Sequence, residues 1–175
     1  MTVLMESEAD PASWPAAPDG LSLEAAALDS DALWTRIEGW IAFRWSGREV
    51  TWIVNGPGVW SPRLQPATIT AFEVWDDGWT PAVLSAHPLG YELDDRTYRF
   101  TATVGTTDTP PPAVLEAYRR LAEYLADTGE IGRVAISGRR KLSDVEVEST
   151  RPTTWMGRAI HYSGAADLLR PWRQA

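Results

Sequence analysis

The sequence predicts an α+β fold: a helical bundle with a small inserted antiparallel β-sheet and an extended C-terminal arm. Three observations predict it. Apolar residues recur at helical spacing in "LSLEAAALDSDALWTRIEGWIAFRWSG" and again in "DTPPPAVLEAYRRLAEYLAD". Between them, from Val50 to Val104, the pattern shifts to short β-branched and aromatic runs closed by turn residues. The chain then passes through a glycine-broken, charged stretch into a short basic ending, "SGAADLLRPWRQA".

Residues 1–20 read as a flexible N-terminal arm, because Pro11, Pro15, Pro18 and Gly20 interrupt any regular pattern. Residues 21–128 read as a helix/sheet/helix core. Ser22 is suited to cap a short Glu/Ala helix, and Ser30 or Asp31 to cap the next, with acidic residues in the first turn. In that second helix Leu33, Ile37, Trp40 and Ile41 share a face, Trp34 and Trp45 widen it, and Gly47 ends it. "VTWIVNGPG" reads as a strand closed by a turn, "ITAFEVWDDGW" as a second strand ending at an Asp-Asp-Gly turn, and "TYRFTATVG" as a third. In the last, Tyr98, Phe100, Ala102 and Val104 point to one side, and Arg99, Thr101 and Thr103 to the other.

The following helix is expected to be capped by Thr109, with prolines in its first turn, where they are tolerated. Val114, Tyr118, Leu121 and Leu125 form its seam, broadened by Leu115 and Ala122; Glu116 with Arg120 and Arg119 with Glu123 stand four apart on the outer face. Gly129 stops it. Residues 129–152 read as a poorly packed connector or extended arm with one alternating stretch, "DVEVES". Residues 153–175 read as a C-terminal helix from Thr154 to Tyr162, broken at Ser163-Gly164, resuming through Leu169 and ending in a tail.

Composition narrows the function classes. At 175 residues, 44% hydrophobic and 23% charged, the chain is sized for one domain with a core of its own. No apolar run approaches the roughly 20 residues that span a bilayer, so no membrane partner is expected. "MTVLMESEADPASWPAAPDG" lacks the basic start and apolar stretch of a secretory signal, so a cytoplasmic site of synthesis is expected. Cysteine is absent, which excludes disulfides, thiolate metal sites and cysteine nucleophiles. Residues 1–100 carry 15 acidic and 6 basic side chains (net −9), whereas the last 25 residues set Asp167 against four Arg (net +3). An acidic body argues against general nucleic-acid binding, which needs clustered Lys and Arg. A basic tail suits an acidic or polar partner surface.

Catalytic chemistry finds little support. His87 lies before Pro88 and His161 on the last helix, neither spaced with further ligands for zinc, so surface or capping roles are expected. "NGPG" at Asn55–Gly58 lacks the Lys-Ser/Thr end of a phosphate loop and reads as a turn. Asp76-Asp77 and Asp94-Asp95 adjoin strand ends, where solvated loop carboxylates are the plainer reading. No nucleophile-elbow signature is present. No catalytic residue, metal site or cofactor is expected.

Ten tryptophans are the strongest compositional anomaly. Trp34, Trp40 and Trp45 fit a buried helical stripe. Trp52, Trp60, Trp75 and Trp79 leave two readings open: core, or an exposed strip making a Trp-lined binding module for carbohydrate or peptide. Trp172, close to the end, is core only if the tail folds back.

The order of pieces and several stretches resemble the head–tail connector adaptor family of long-tailed phages and gene transfer agents. The stretches are "LSLEAAALDSDALWTRIEGWIAFRW", "WSPRLQPATITAFEVWDDG", "TPPPAVLEAYRRLAEYLAD" and, most specifically, "WMGRAIHYSGAADLLRPWR". The resemblance spans residues 21–173; the acidic N-terminal arm and the high Trp content depart from it. It implies a non-enzymatic virion protein, assembled in the bacterial cytoplasm and then placed in the particle neck. It would form a dodecameric ring beneath the portal protein, with a stopper or tail-completion protein below and DNA passing through the channel without specific binding. It implies a C-terminal segment that docks into the portal. Leu168, Leu169 and Trp172 would give apolar anchoring, Arg170 and Arg173 charge-assisted contacts, and Pro171 a restricted backbone. The opposing reading of the same residues is that Leu168, Leu169 and Trp172 fold back and complete the protein's own core.

Overall fold

The structure is a computed structural model that describes residues 1–132, 137–142, 145–150 and 158–173. The chain divides into two compact units, one built from residues 1–15 and 42–109 and the other from 16–41 and 110–173.

The first unit is a β structure. Its strands are β1 (Thr2–Glu8), β2 (Arg48–Asn55), β3 (Gly58–Trp60), β4 (Ala67–Trp75), β5 (Trp79–Pro81), β6 (Ser85–His87), β7 (Gly90–Leu93) and β8 (Thr97–Val104). Five of them form an antiparallel sheet in the order β1-β2-β8-β4-β5, and three form a second sheet in the order β3-β7-β6. Two-residue alternation drives burial: Val50, Trp52 and Val54 on β2 and Tyr98, Phe100, Ala102 and Val104 on β8 are buried, and the residues between them are not. The register sets Trp52 opposite Phe100 and Phe100 opposite Phe72. Trp60 from the smaller sheet stacks on Phe100 with centroids 4.0 Å apart. Gly90 has φ +137, and a Cβ there would run into the Trp60 carbonyl, so only glycine lets β7 pass this close.

In the second unit α1 (Leu23–Ala26), α2 (Ser30–Glu38), α4 (Ala159–Tyr162) and α5 (Ala165–Leu168) surround the long α3 (Pro112–Gly132). The first α-helical bond of α3 runs from the Leu115 N–H to the Pro111 carbonyl, so its prolines sit where no backbone donor is needed. Leu33, Trp34 and Ile37 of α2 and Val114, Tyr118 and Leu121 of α3 are buried. Trp34 and Tyr118 meet with ring centroids 5.1 Å apart, and the Tyr118 hydroxyl donates to Ser30 Oγ at 3.0 Å. Burial pushes the Tyr118 phenol above its ordinary range. A hairpin of β9 (Ser137–Leu142) and β10 (Val145–Thr150) follows α3 in the chain.

The expected helical bundle with a small inserted sheet and extended C-terminal arm is not this fold. Eight strands in two sheets make up one unit, and among the described residues α3 alone is a long helix. The error has a local cause. The apolar pattern through Trp40, Ile41 and Trp45 was read as one helix to Gly47, but α2 ends at Glu38 with Gly39 as its cap, and Trp45 belongs to the β unit. The C-terminal segment is not extended either: it coils through α4, α5 and a 3-10 turn at Arg170–Trp172. Part of the stretch read as an arm, Thr2–Glu8, pairs along β2. Residues 154–157, expected in the last helix, lie outside the described residues.

Candidate functional site

The residues singled out from sequence form the C-terminal segment, held by named contacts of the second unit. Ser163 ends α4, its Oγ donating to the Ile160 carbonyl at 3.3 Å and accepting from the Ala165 N–H at 3.3 Å. Gly164 follows with φ +75, the left-handed conformation that glycine adopts without strain, so the chain turns sharply between two single-turn helices. Arg120 of α3 passes beside this turn, 3.5 Å from where a Gly164 Cβ would lie. Pro171 opens the 3-10 turn, where its fixed φ fits.

The six residues divide by environment. Leu169 is 0% exposed and is part of the core; Leu168 and Trp172 are half-buried. Arg170 and Pro171 are exposed, and Arg170 reaches Asp167 only at 3.9 Å. Arg173 is exposed yet lies over the Trp40 ring, 4.4 Å from its centroid. The other contact on Trp40 is His161, edge-on at 4.6 Å. One indole thus connects α4 with the last turn. Sequence reasoning missed this clamp: Trp40 was assigned to a helical stripe, and nothing local links it to His161 or Arg173.

α3 carries an ordered set of charges. Glu116 binds Arg119 through two hydrogen bonds of 2.8 Å and Arg120 through a third of 2.8 Å. These donors, Arg119 first, hold the Glu116 carboxyl at about 2. The Glu116–Arg120 pair is the expected one; Arg119 bonds Glu116, while Glu123 reaches α1. Ser22 donates to Glu123 twice, from its N–H and its hydroxyl, each at 2.8 Å, and its Oγ accepts from the Ala25 N–H. Those donors lower the Glu123 carboxyl. For α2 the cap is Asp29, one residue ahead of Ser30 and two ahead of Asp31, accepting from the Asp31 and Ala32 N–H groups.

The four tryptophans proposed as a strip are not together. Trp52 and Trp60 are in the β core, Trp52 donating from Nε1 to Glu6 at 2.7 Å. Trp75 and Trp79 face each other across the β4–β5 hairpin, whose turn holds Asp76 and Asp77. His87 accepts from the Leu89 N–H at 3.1 Å, a local turn contact. Asp94 and Asp95 are exposed between β7 and β8. Among the described residues no cluster of three His, Asp or Glu suits a metal ion, and no helix is long and apolar enough to cross a membrane.

No family model matches the chain, and no curated protein matches it. Among solved structures it is similar to a chain from the virion of a native gene transfer agent particle, with 18% identity and a TM-score of 0.48, over 98% of this chain and 96% of that one.

Proposed function

We propose that this chain is a structural virion protein without enzymatic activity, a head–tail connector adaptor. It forms a ring beneath the portal protein, meets a stopper or tail-completion protein below, and lets DNA pass without specific binding. The observation that carries the reading is the construction of the C-terminal segment. The residues that resemble the family's ending form short helical turns after a glycine pivot, anchored by Leu169 in the core and by Arg173 over Trp40. A segment with few strong anchors exchanges one partner for another more readily than a long helix does. In the free protein Leu169 and Arg173 use their own unit; on the portal Leu168, Leu169, Trp172, Arg170 and Arg173 supply the same kinds of contact to a partner, with Pro171 limiting the ordering cost. Repetition around a ring multiplies a weak single attachment. The acidic composition of residues 1–100, net −9, suits a channel wall that does not retain a phosphate backbone.

The test compares the full chain with one ending at Ser163 for binding to the portal protein encoded beside it. The full chain is expected to assemble on the portal; because the shortened one also loses the buried Ala165 and Leu169, the variant R170A/R173A, which keeps both, is measured beside it, and both altered chains are expected to stay unbound. Equal binding would assign the segment to the fold alone, and no binding by any of the three would overturn the adaptor reading.

A further inference from the structure

The β4–β5 hairpin carries an exposed aromatic pair that the adaptor reading leaves unused. Trp75 is 51% exposed, and its ring packs against Trp79 in a T-shaped contact with centroids 5.1 Å apart. Trp79 is fixed from its other neighbour: the Arg99 guanidinium lies 4.6 Å from its centroid and is itself held by Glu73 through two bonds of 2.6 Å. The turn between the two tryptophans carries the exposed Asp76 and Asp77, which follow Trp75 directly in the chain, with Asp77 at φ 55 and the Asp76 N–H bonded to the Gly78 carbonyl.

The same unit shows what such a set binds. Arg48 lies 4.9 Å from the Trp14 centroid and 3.2 Å from a Glu8 carboxylate oxygen. Arg99 lies over Trp79 and on Glu73. In both cases one arginine is held by an indole face and a carboxylate together, the two favourable environments of a planar cation. Trp75 with Asp76 and Asp77 repeats the indole and the carboxylates at an exposed position. Arg99 already occupies Glu73, which leaves Asp76 and Asp77 as the exposed charges of the hairpin turn, and two carboxylates there favour a cation over an anion. An exposed indole braced by a neighbour loses little freedom on binding, as an anchoring site requires.

We propose that the Trp75–Trp79 hairpin is a docking surface for an arginine-bearing segment of another protein, the arginine stacking on Trp75 and pairing with Asp76 or Asp77. The surface is complementary to a basic strand or loop, not to nucleic acid.

The test uses the full ¹⁵N-labelled chain at low salt and the blocked peptide acetyl-(Gly-Arg)3-amide, reading the indole N–H resonances. The Trp75 resonance is identified by its loss in W75F. The expected result is a saturable movement of the Trp75 signal while those of Trp52 and Trp60 stay in place. D76N/D77N is expected to weaken the binding roughly tenfold, and the lysine peptide to bind a few times more weakly than the arginine one. Retained Trp52 and Trp60 signals show that each variant is folded. The proposal is overturned if Trp75 does not move, if a glutamate peptide moves it equally, or if D76N/D77N binds unchanged. Movement with protein concentration alone, without peptide, would replace the outside partner with a second copy of this chain. None of these readouts involves the portal, so a failed adaptor reading leaves the result standing.

Discussion

At the residue scale Leu169 is a core side chain, and the adaptor proposal asks the same side chain to anchor on the portal. Leu169→Ala removes a side chain that is 0% exposed, and is expected to destabilise the second unit by about 2–4 kcal/mol, measured by urea denaturation. Glu116 offers a different measurement. Its carboxyl is held at about 2, below the ordinary carboxylate range, so the stability it contributes is fully present above about pH 5 and is lost as pH falls through the folded value. Glu116→Gln is therefore expected to flatten the acid limb of the stability curve between those limits, read by thermal melts across pH, and to leave stability above pH 7 less pH-dependent than the acid limb. The six C-terminal residues stand out in the sequence because anchor types cluster there, and the portal-binding comparison tests whether they dock. The contact of Arg173 with Trp40 was not legible, because a contact between distant positions leaves no local pattern.

Elements divide sharply in how readable they were. β8 was plain, since one of its faces is buried and the other is not. β1 was hidden because an edge strand with most of its side chains exposed carries no apolar alternation, and its neighbours Pro11 and Pro15 argued for irregular chain. Beside the packing of Val3 on the core, the strand is held by charge: Glu8 binds Arg44 at 2.6 and 3.0 Å and Arg48 at 3.2 Å, and these arginines are 7% and 9% exposed. Glu8→Gln keeps the shape and removes the charge. It is expected to cost about 2 kcal/mol and to speed amide exchange along β1 before any other strand, observed by hydrogen exchange. An equal rate in β1 and β8 would show that the strand is held by its backbone ladder alone. α2 was read too long for the opposite reason: the apolar spacing continues past Gly39 while the backbone does not.

For the whole molecule, composition set useful limits and topology did not follow from it. The absence of cysteine removes thiolate chemistry, and the acidic body with its basic ending is what suggested a protein partner, a reading left to the binding comparison. The sheet order β1-β2-β8-β4-β5 was out of reach, because it pairs β1 with β2 across 39 intervening positions and β2 with β8 across 41.

The nesting of the two units in the chain also sets an order of synthesis. Residues 42–109 lie between the two stretches that make the helical unit, 16–41 and 110–173, and Ser22 obtains its carboxylate from Glu123. As the polypeptide leaves the ribosome the strands of the β unit are all available before α3 exists. α1 and α2 wait, with Trp34 lacking its Tyr118 neighbour, until the later half arrives. A chain broken off before residue 110 therefore leaves Leu33, Trp34 and Ile37 of α2 without the α3 surface they pack against, and only a chain translated beyond α3 buries them.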